Sequence, residues 1–180
     1  MAKSTILSTV RLAFPNIFNP SEQFGNFGAQ LIIEKGGANA KKIEAEIERV
    51  AKEKWGAKAE TVLKTLRASN KICFVDGDTK AEYEGFEGNM ALSTTNRVRP
   101  TVVNKDRSPI VEADGIVYAG CYVNASVDIW AQDNTYGKRI NASLRGIQFV
   151  KDGDAFAGGG VAREDEFEDL SEGAEAEDFV

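Results

Sequence analysis

Residues Tyr118 to Lys151 read YAGCYVNASVDIWAQDNTYGKRINASLRGIQFVK. From Tyr118 to Gln132 every second residue is apolar and mostly small: Ala119, Cys121, Val123, Ala125, Val127, Ile129 and Ala131. Strict period-two alternation over this length predicts a half-buried strand, because successive side chains of a strand point to opposite faces. Asp133, Asn134 and Gly137 supply turn chemistry, and a second alternating arm follows from Lys138 to Lys151. In that arm Ile140, Ala142 and Leu144 fall on one side, and Arg139, Asn141, Ser143 and Arg145 on the other. The period slips at Gly146, beyond which Ile147 and Phe149 would point outward; a bulge at Gly146 turns them back in. The stretch is therefore expected to form one long β-hairpin with its apolar face on a core.

The opposite face carries chemistry. Tyr118, Tyr122 and Trp130 stand on it among polar residues, and the second arm adds Arg139, Arg145 and Lys151. Rings beside cations are what single-stranded nucleic acid needs: bases stack on the rings and phosphates meet the charges. Each stacked base contributes on the order of 1–3 kcal/mol, so two or three rings suffice. The bland alternative is equally weighted on composition: the rings are a second core face with a helix over them. Arg97, Arg99, Lys105 and Arg107 bring four more cations into a short loop-rich region, read as phosphate contacts or, singly, as solvated charge.

The bulk composition narrows the class. With 180 residues, 42% hydrophobic and 28% charged, the chain suits one domain with a real core and a tail. No apolar run approaches a membrane span and the N-terminus lacks the apolar core of a signal peptide, so a cytoplasmic protein is expected. Histidine is absent, which removes the commonest general acid/base and the commonest metal ligand. Cys73 and Cys121 are too few for a cysteine-rich zinc site, and Cys121 reads as a small core residue. Asp76 with Asp78, and Asp152 with Asp154, read as turn residues rather than a cation site. No nucleophile–base pair is nominated, so no catalytic residue, cofactor or metal is expected.

Charge is segregated. Val161–Val180 hold nine carboxylates against Arg163 alone, a balance of −8; the whole chain carries −6, so residues 1–160 carry +2. Residues 1–157 are read as the folded domain, and 158–180 as a glycine hinge with a disordered acidic tail. The tail has three readings: solubilising segment, partner-binding segment, or a competitor for the nucleic-acid groove. Its end, Glu177-Asp178-Phe179-Val180, favours the last two, because an aromatic in a charge run gives a partner pocket an anchor.

Elsewhere, Ser4–Phe14 and Phe24–Lys35 read as strands. Asn39 is a good N-cap for a helix over Ala40–Trp55, closed by Gly56. A further helical turn or two is placed at Ala59–Arg67, and short strands at Lys71–Val75, Gly88–Asn96, Pro100–Val103 and Ser108–Val111. Short strands without βαβ alternation point to an OB-like antiparallel barrel, mainly β, with an inserted α-helix.

Three stretches, Arg11–Phe18 (RLAFPNIF), Tyr118–Ala125 (YAGCYVNA) and Asn141–Gly153 (NASLRGIQFVKDG), resemble a phage family of single-stranded DNA-binding proteins, formerly a domain of unknown function. The resemblance covers about residues 5 to 158. It implies an OB-fold similar to that of podophage replication single-strand binders and binding without sequence preference. An acidic tail near a terminal aromatic implies recruitment of phage or host replication proteins, with shielding of the DNA groove. The expected function is single-stranded DNA binding in phage replication and recombination in the host cytoplasm, without enzymatic activity. A homo-oligomer is left open. The alternative is a phage accessory or virion protein that binds no DNA and works through its tail.

Overall fold

The computed structural model describes residues 4–156, and Phe167 and Leu170 singly. The expected hinge and the tail residues Glu177, Asp178 and Phe179 lie outside the described residues. Seven strands form one sheet: β1 (Thr5–Asn16), β2 (Phe27–Glu34), β3 (Phe74–Asp76), β4 (Asn89–Asn96), β5 (Thr101–Val103), β6 (Tyr122–Asn134) and β7 (Gly137–Lys151). Their order is β3-β4-β2-β1-β6-β7-β5, and an extra parallel pairing of β4 with β7 at Thr95–Ser143 closes five of them into a barrel. Asn96 reinforces that seam by donating from Nδ2 to the Leu144 carbonyl at 2.9 Å. In chain order the barrel strands are β1, β2, β4, β6 and β7, so the ring runs first-second-third-fifth-fourth, the expected OB-like architecture.

Helices α1 (Ala38–Trp55) and α2 (Ala59–Ala68), joined by a 3-10 turn at Gly56–Lys58, lie between the second and third barrel strands. Their apolar stripe plugs the barrel: Ile43, Ile47, Ala51, Leu63 and Leu66 share one core with Leu12, Leu31, Leu92, Val127 and Leu144. Gly56 caps α1 at φ +57, as its sequence position predicts. The cap at the other end is Gly37, not Asn39. Asn39 instead clamps β1: its Oδ1 accepts from Ser8 N at 2.9 Å and its Nδ2 donates to Ser8 O at 2.8 Å. The reason is a bulge in β1 between Leu7 and Val10, with Thr9 at φ +53, which takes Ser8 and Thr9 out of the ladder with β6. Thr9 N finds Asn124 Oδ1 at 2.9 Å, so both freed amides are satisfied by side chains.

The hairpin forms with the expected faces. Val123, Ala125, Val127, Ile129, Ile140, Ala142 and Leu144 are all buried. A register shift falls between the Ser126–Gly146 and Val127–Leu144 pairs, leaving Arg145 as the extra residue, and beyond it Ile147 and Phe149 turn inward. Its first arm begins at Tyr122 rather than Tyr118: Gly120 sits at φ +110 and makes an irregularity there, in which Gly120 N and Cys121 O still bond Leu12 of β1 while Cys121 N turns back to Tyr118 O. Likewise β2 starts at Phe27, leaving Phe24 on the exposed loop before it. The expected turn at Asn104–Arg107 forms a short hairpin, with Asn104 N bonding Ser108 O at 2.8 Å, Ile110 N bonding Val102 O at 2.9 Å and an antiparallel bridge at Val103–Pro109; on its other side β5 pairs in parallel with β7. Cys73 and Cys121 are both free thiols, and burial pushes Cys73 up to about 12. Asp76 and Asp78 behave as turn residues: Asp76 accepts from Asp78 N, and Lys35 bridges the two carboxylates at 3.0 and 3.1 Å.

Candidate nucleic-acid interface

The outer face of β6–β7 can be followed row by row. The cross-strand pairs are Tyr122–Lys151, Asn124–Gln148, Ser126–Gly146, Asp128–Ser143, Trp130–Asn141 and Gln132–Arg139. Aromatic and guanidinium groups therefore do not alternate directly across the strands, as the plain pattern implied. The two-residue turn after Asn134 sets the register of the rows up to Val127–Leu144, so Trp130 faces Asn141 and meets Arg139 only on the diagonal. Trp130 is 41% exposed, donates from Nε1 to Ser143 Oγ at 3.1 Å, and lines a shallow groove with Arg49, Glu53 and Lys54 of α1, so the helix borders the ring without covering it. Tyr122 is half-buried, with the Lys151 ammonium 5.0 Å and the Arg11 guanidinium 5.7 Å from its ring centre. Eight residues separate the two rings, about 27 Å along a strand, a span for several nucleotides rather than one.

Cations gather beside the middle rows. The parallel register of β5 against Gly146–Gln148 brings Arg97 and Arg99 to one end of that short strand and Lys105 and Arg107 to the other. All four are exposed. The turn carrying Lys105 and Arg107 is fastened to the hairpin by Gln148 Nε2, which donates to Lys105 O at 3.1 Å. Arg107 and Arg145 line one groove of about 410 Å³ with Thr101, Val103, Asn124, Ser126 and Gln148. Arg145 is partly neutralised: its Nη1 lies 2.7 Å from Oδ2 of the buried Asp128. Arg139 and Lys151 stand at the two ends of β7, away from this cluster.

Tyr118 belongs to a different structure. It is half-buried, its hydroxyl donates to Asp152 Oδ1 at 3.0 Å or Gly153 O at 2.9 Å, and it accepts from Gly153 N at 3.1 Å. Burial raises its phenol pKa. Arg11 completes the clasp, donating from Nε to Gly120 O at 3.0 Å and from Nη2 to Asp154 O at 2.6 Å, with its guanidinium 4.3 Å from the Phe156 ring centre. The three family-like stretches thus meet at one end of the barrel, where β1, the entry to β6 and the exit of β7 are tied together.

Two aromatic groups escaped the sequence reading. Phe27 opens β2 beneath the Arg99 guanidinium at 5.8 Å, and on the opposite face of that strand Gln30 Oε1 accepts from Ser93 Oγ at 3.0 Å and Lys80 Nζ at 3.4 Å. The face of the second and third barrel strands is where OB-folds commonly hold oligonucleotides. Phe14 and Tyr83 form the other group, ring centres 5.1 Å apart and edge to face. No local pattern could reveal either, since one depends on the β4–β5 connection crossing β2 and the other on a bulge in β1 meeting a distant loop.

A model of the Enterobacter phage Enc34 single-stranded DNA-binding protein family matches residues 3–180. Protein p50 of Acyrthosiphon pisum secondary endosymbiont phage 1 is 45% identical over 178 residues, covering 95% of this chain and 96% of that protein. The fold is similar to that of the single-stranded DNA-binding protein from bacteriophage Enc34 in complex with single-stranded DNA, with a TM-score of 0.72 and 29% identity over 86% of this chain and 89% of that one. It also resembles gp2.5, the single-stranded DNA-binding protein of bacteriophage T7, with a TM-score of 0.59 over 98% of this chain and 97% of that one; at 14% identity this is a likeness of fold alone.

Proposed function

Because the chain belongs to the family of the Enterobacter phage Enc34 single-stranded DNA-binding protein, we propose that it coats single-stranded DNA during phage DNA replication and recombination. It is a binding protein, not an enzyme. Binding is independent of sequence, since a ring stacks on any base and a cation meets any phosphate. The observation that carries this reading is the exposed Trp130 on the same outer hairpin face as the groove of Arg107 and Arg145, where α1 borders the ring but leaves it open while its apolar stripe faces the core. A helix over those rings would have favoured the accessory-protein alternative.

Within this reading Trp130 and Tyr122 are the stacking rings. Arg97, Arg99, Lys105, Arg107 and Arg145 hold the phosphates along the β5 side, and Arg139 and Lys151 hold those at the ends. Tyr118 keeps the clasp and is not a stacking ring. The acidic segment competes with DNA for this basic surface, and Glu177, Asp178 and Phe179 engage replication proteins. The host cytoplasm is the compartment.

The test is a titration of intact protein with long poly-thymidine strands at two salt concentrations, beside a duplex control, read by tryptophan fluorescence. Single strands quench the signal, duplex quenches it far less, and affinity falls as salt rises. Trp130→Ala, which retains Trp55, loses most of the quench and binds roughly 5- to 150-fold more weakly, the equivalent of one stacked base. Unchanged affinity in that variant removes Trp130 from the interface, and silence toward every strand in both intact and tail-deleted protein overturns the function.

A further inference from the structure

At the end of β1 the register shifts between Ala13 and Asn16, and Phe14 takes φ +46, a conformation that a bulky residue adopts only at some cost. The result is a ring turned outward against Tyr83, the two remaining 49% and 45% exposed. With Phe86 and Phe156 they line a cleft of about 650 Å³ whose rim carries Glu82 and Glu84. An apolar cleft rimmed by carboxylates repels phosphate, so DNA is a poor occupant. The chain's own acidic segment, which departs from Phe156, has the wrong sign as well. What suits the cleft is an exposed aromatic side chain followed by cations.

The chain presents such a group itself. Tyr136, in the turn between β6 and β7, is 87% exposed and is followed by exposed Lys138 and Arg139. Turn and cleft lie at opposite ends of one hairpin: β6 leaves the cleft region at Tyr122 and runs 13 residues to the turn, about 40 Å. Two complementary patches at opposite ends of a molecule make a head-to-tail contact, which repeats rather than closing into a dimer. We propose that Tyr136 of one copy enters the Phe14–Tyr83 cleft of the next, with Lys138 beside Glu82, so that copies line up along a bound strand. The inference rests on the single-strand-binding function above and adds a protein–protein contact to it.

The experiment compares full-length protein on a thymidine oligomer that holds one copy and on a tract that holds many. Wild type binds the long tract more tightly per copy, on the order of tenfold, as loss of one interface tyrosine would imply. Tyr136→Ala and Glu82→Lys, altered at opposite ends of the molecule, both lose that gain and keep the short-oligomer affinity. The Glu82→Lys outcome is discriminating, because a general attraction of the added charge for phosphate would tighten binding to both strands alike and would not remove the length-dependent gain. A wild type with no length-dependent gain, or a Tyr136→Ala variant that keeps it, overturns the contact while the DNA-binding function stands. Failure of wild type and tail-deleted protein alike on both strands overturns that function instead.

Discussion

Gly120 and Tyr118 separate two kinds of residue that the sequence presents alike. Period-two alternation runs unbroken through residues 118–121, so Tyr118 reads as another ring on the hairpin's outer face. Gly120 interrupts the regular alternation with φ +110 while still bonding Leu12, and a Cβ there would run into the Asp154 carbonyl oxygen. Gly120→Ala is therefore expected to lower stability by more than ~2 kcal/mol, seen as a lower urea midpoint. Tyr118→Phe removes the hydroxyl bonds to Asp152 and Gly153 and is expected to cost about 1–2 kcal/mol while leaving single-strand affinity unchanged. A Tyr118→Phe protein that unfolds normally yet binds DNA more weakly would return Tyr118 to the interface.

The hairpin was the most legible element, because its alternation is long and its bulge is marked by Gly146. The apolar set, the turn and the inward return of Ile147 and Phe149 all follow from spacing. What spacing cannot give is a residue's partner. Asn39 has the chemistry of a helix cap and serves instead to satisfy a bulge 31 residues earlier. Arg145 is a cation on the correct face, yet Asp128, one row away, was indistinguishable from a solvated outer residue until its burial was seen. That pair gives a prediction in two parts. Arg145→Ala leaves a buried carboxylate without its cation and is expected to cost about 1–3 kcal/mol, while adding Asp128→Asn recovers part of the loss in a double-mutant cycle. Asp128→Asn alone frees the Arg145 charge for phosphate, so single-strand affinity rises and the salt dependence steepens by about one phosphate contact. An unchanged salt slope would mean that the Asp128 partner already leaves Arg145 free to bind, or that Arg145 lies off the DNA path.

Taken whole, the molecule must bind a polyanion while carrying a net charge of −6, and segregation is what reconciles the two. The folded part with its hinge is +2, and within it the parallel register of a three-residue strand gathers Arg97, Arg99, Lys105 and Arg107 beside Arg145. The terminal segment holds −8 and follows the clasp residues in sequence. Under the competition proposed above, its tether to the same body gives it a high effective concentration at the proposed groove. Deleting residues 161–180 is therefore expected to raise single-strand affinity, most strongly at low salt. There the Debye length exceeds the roughly 10 Å of 0.1 M salt and segment and strand compete electrostatically. The advantage should shrink as salt rises, so the two proteins' plots of log affinity against log salt converge, the shorter protein having the steeper slope. Parallel plots would mean a competitor held by apolar contacts such as Phe167 or Phe179 rather than by charge. Coincident plots would mean that the acidic segment does not occupy the groove at all, leaving it free to engage other proteins while DNA is bound.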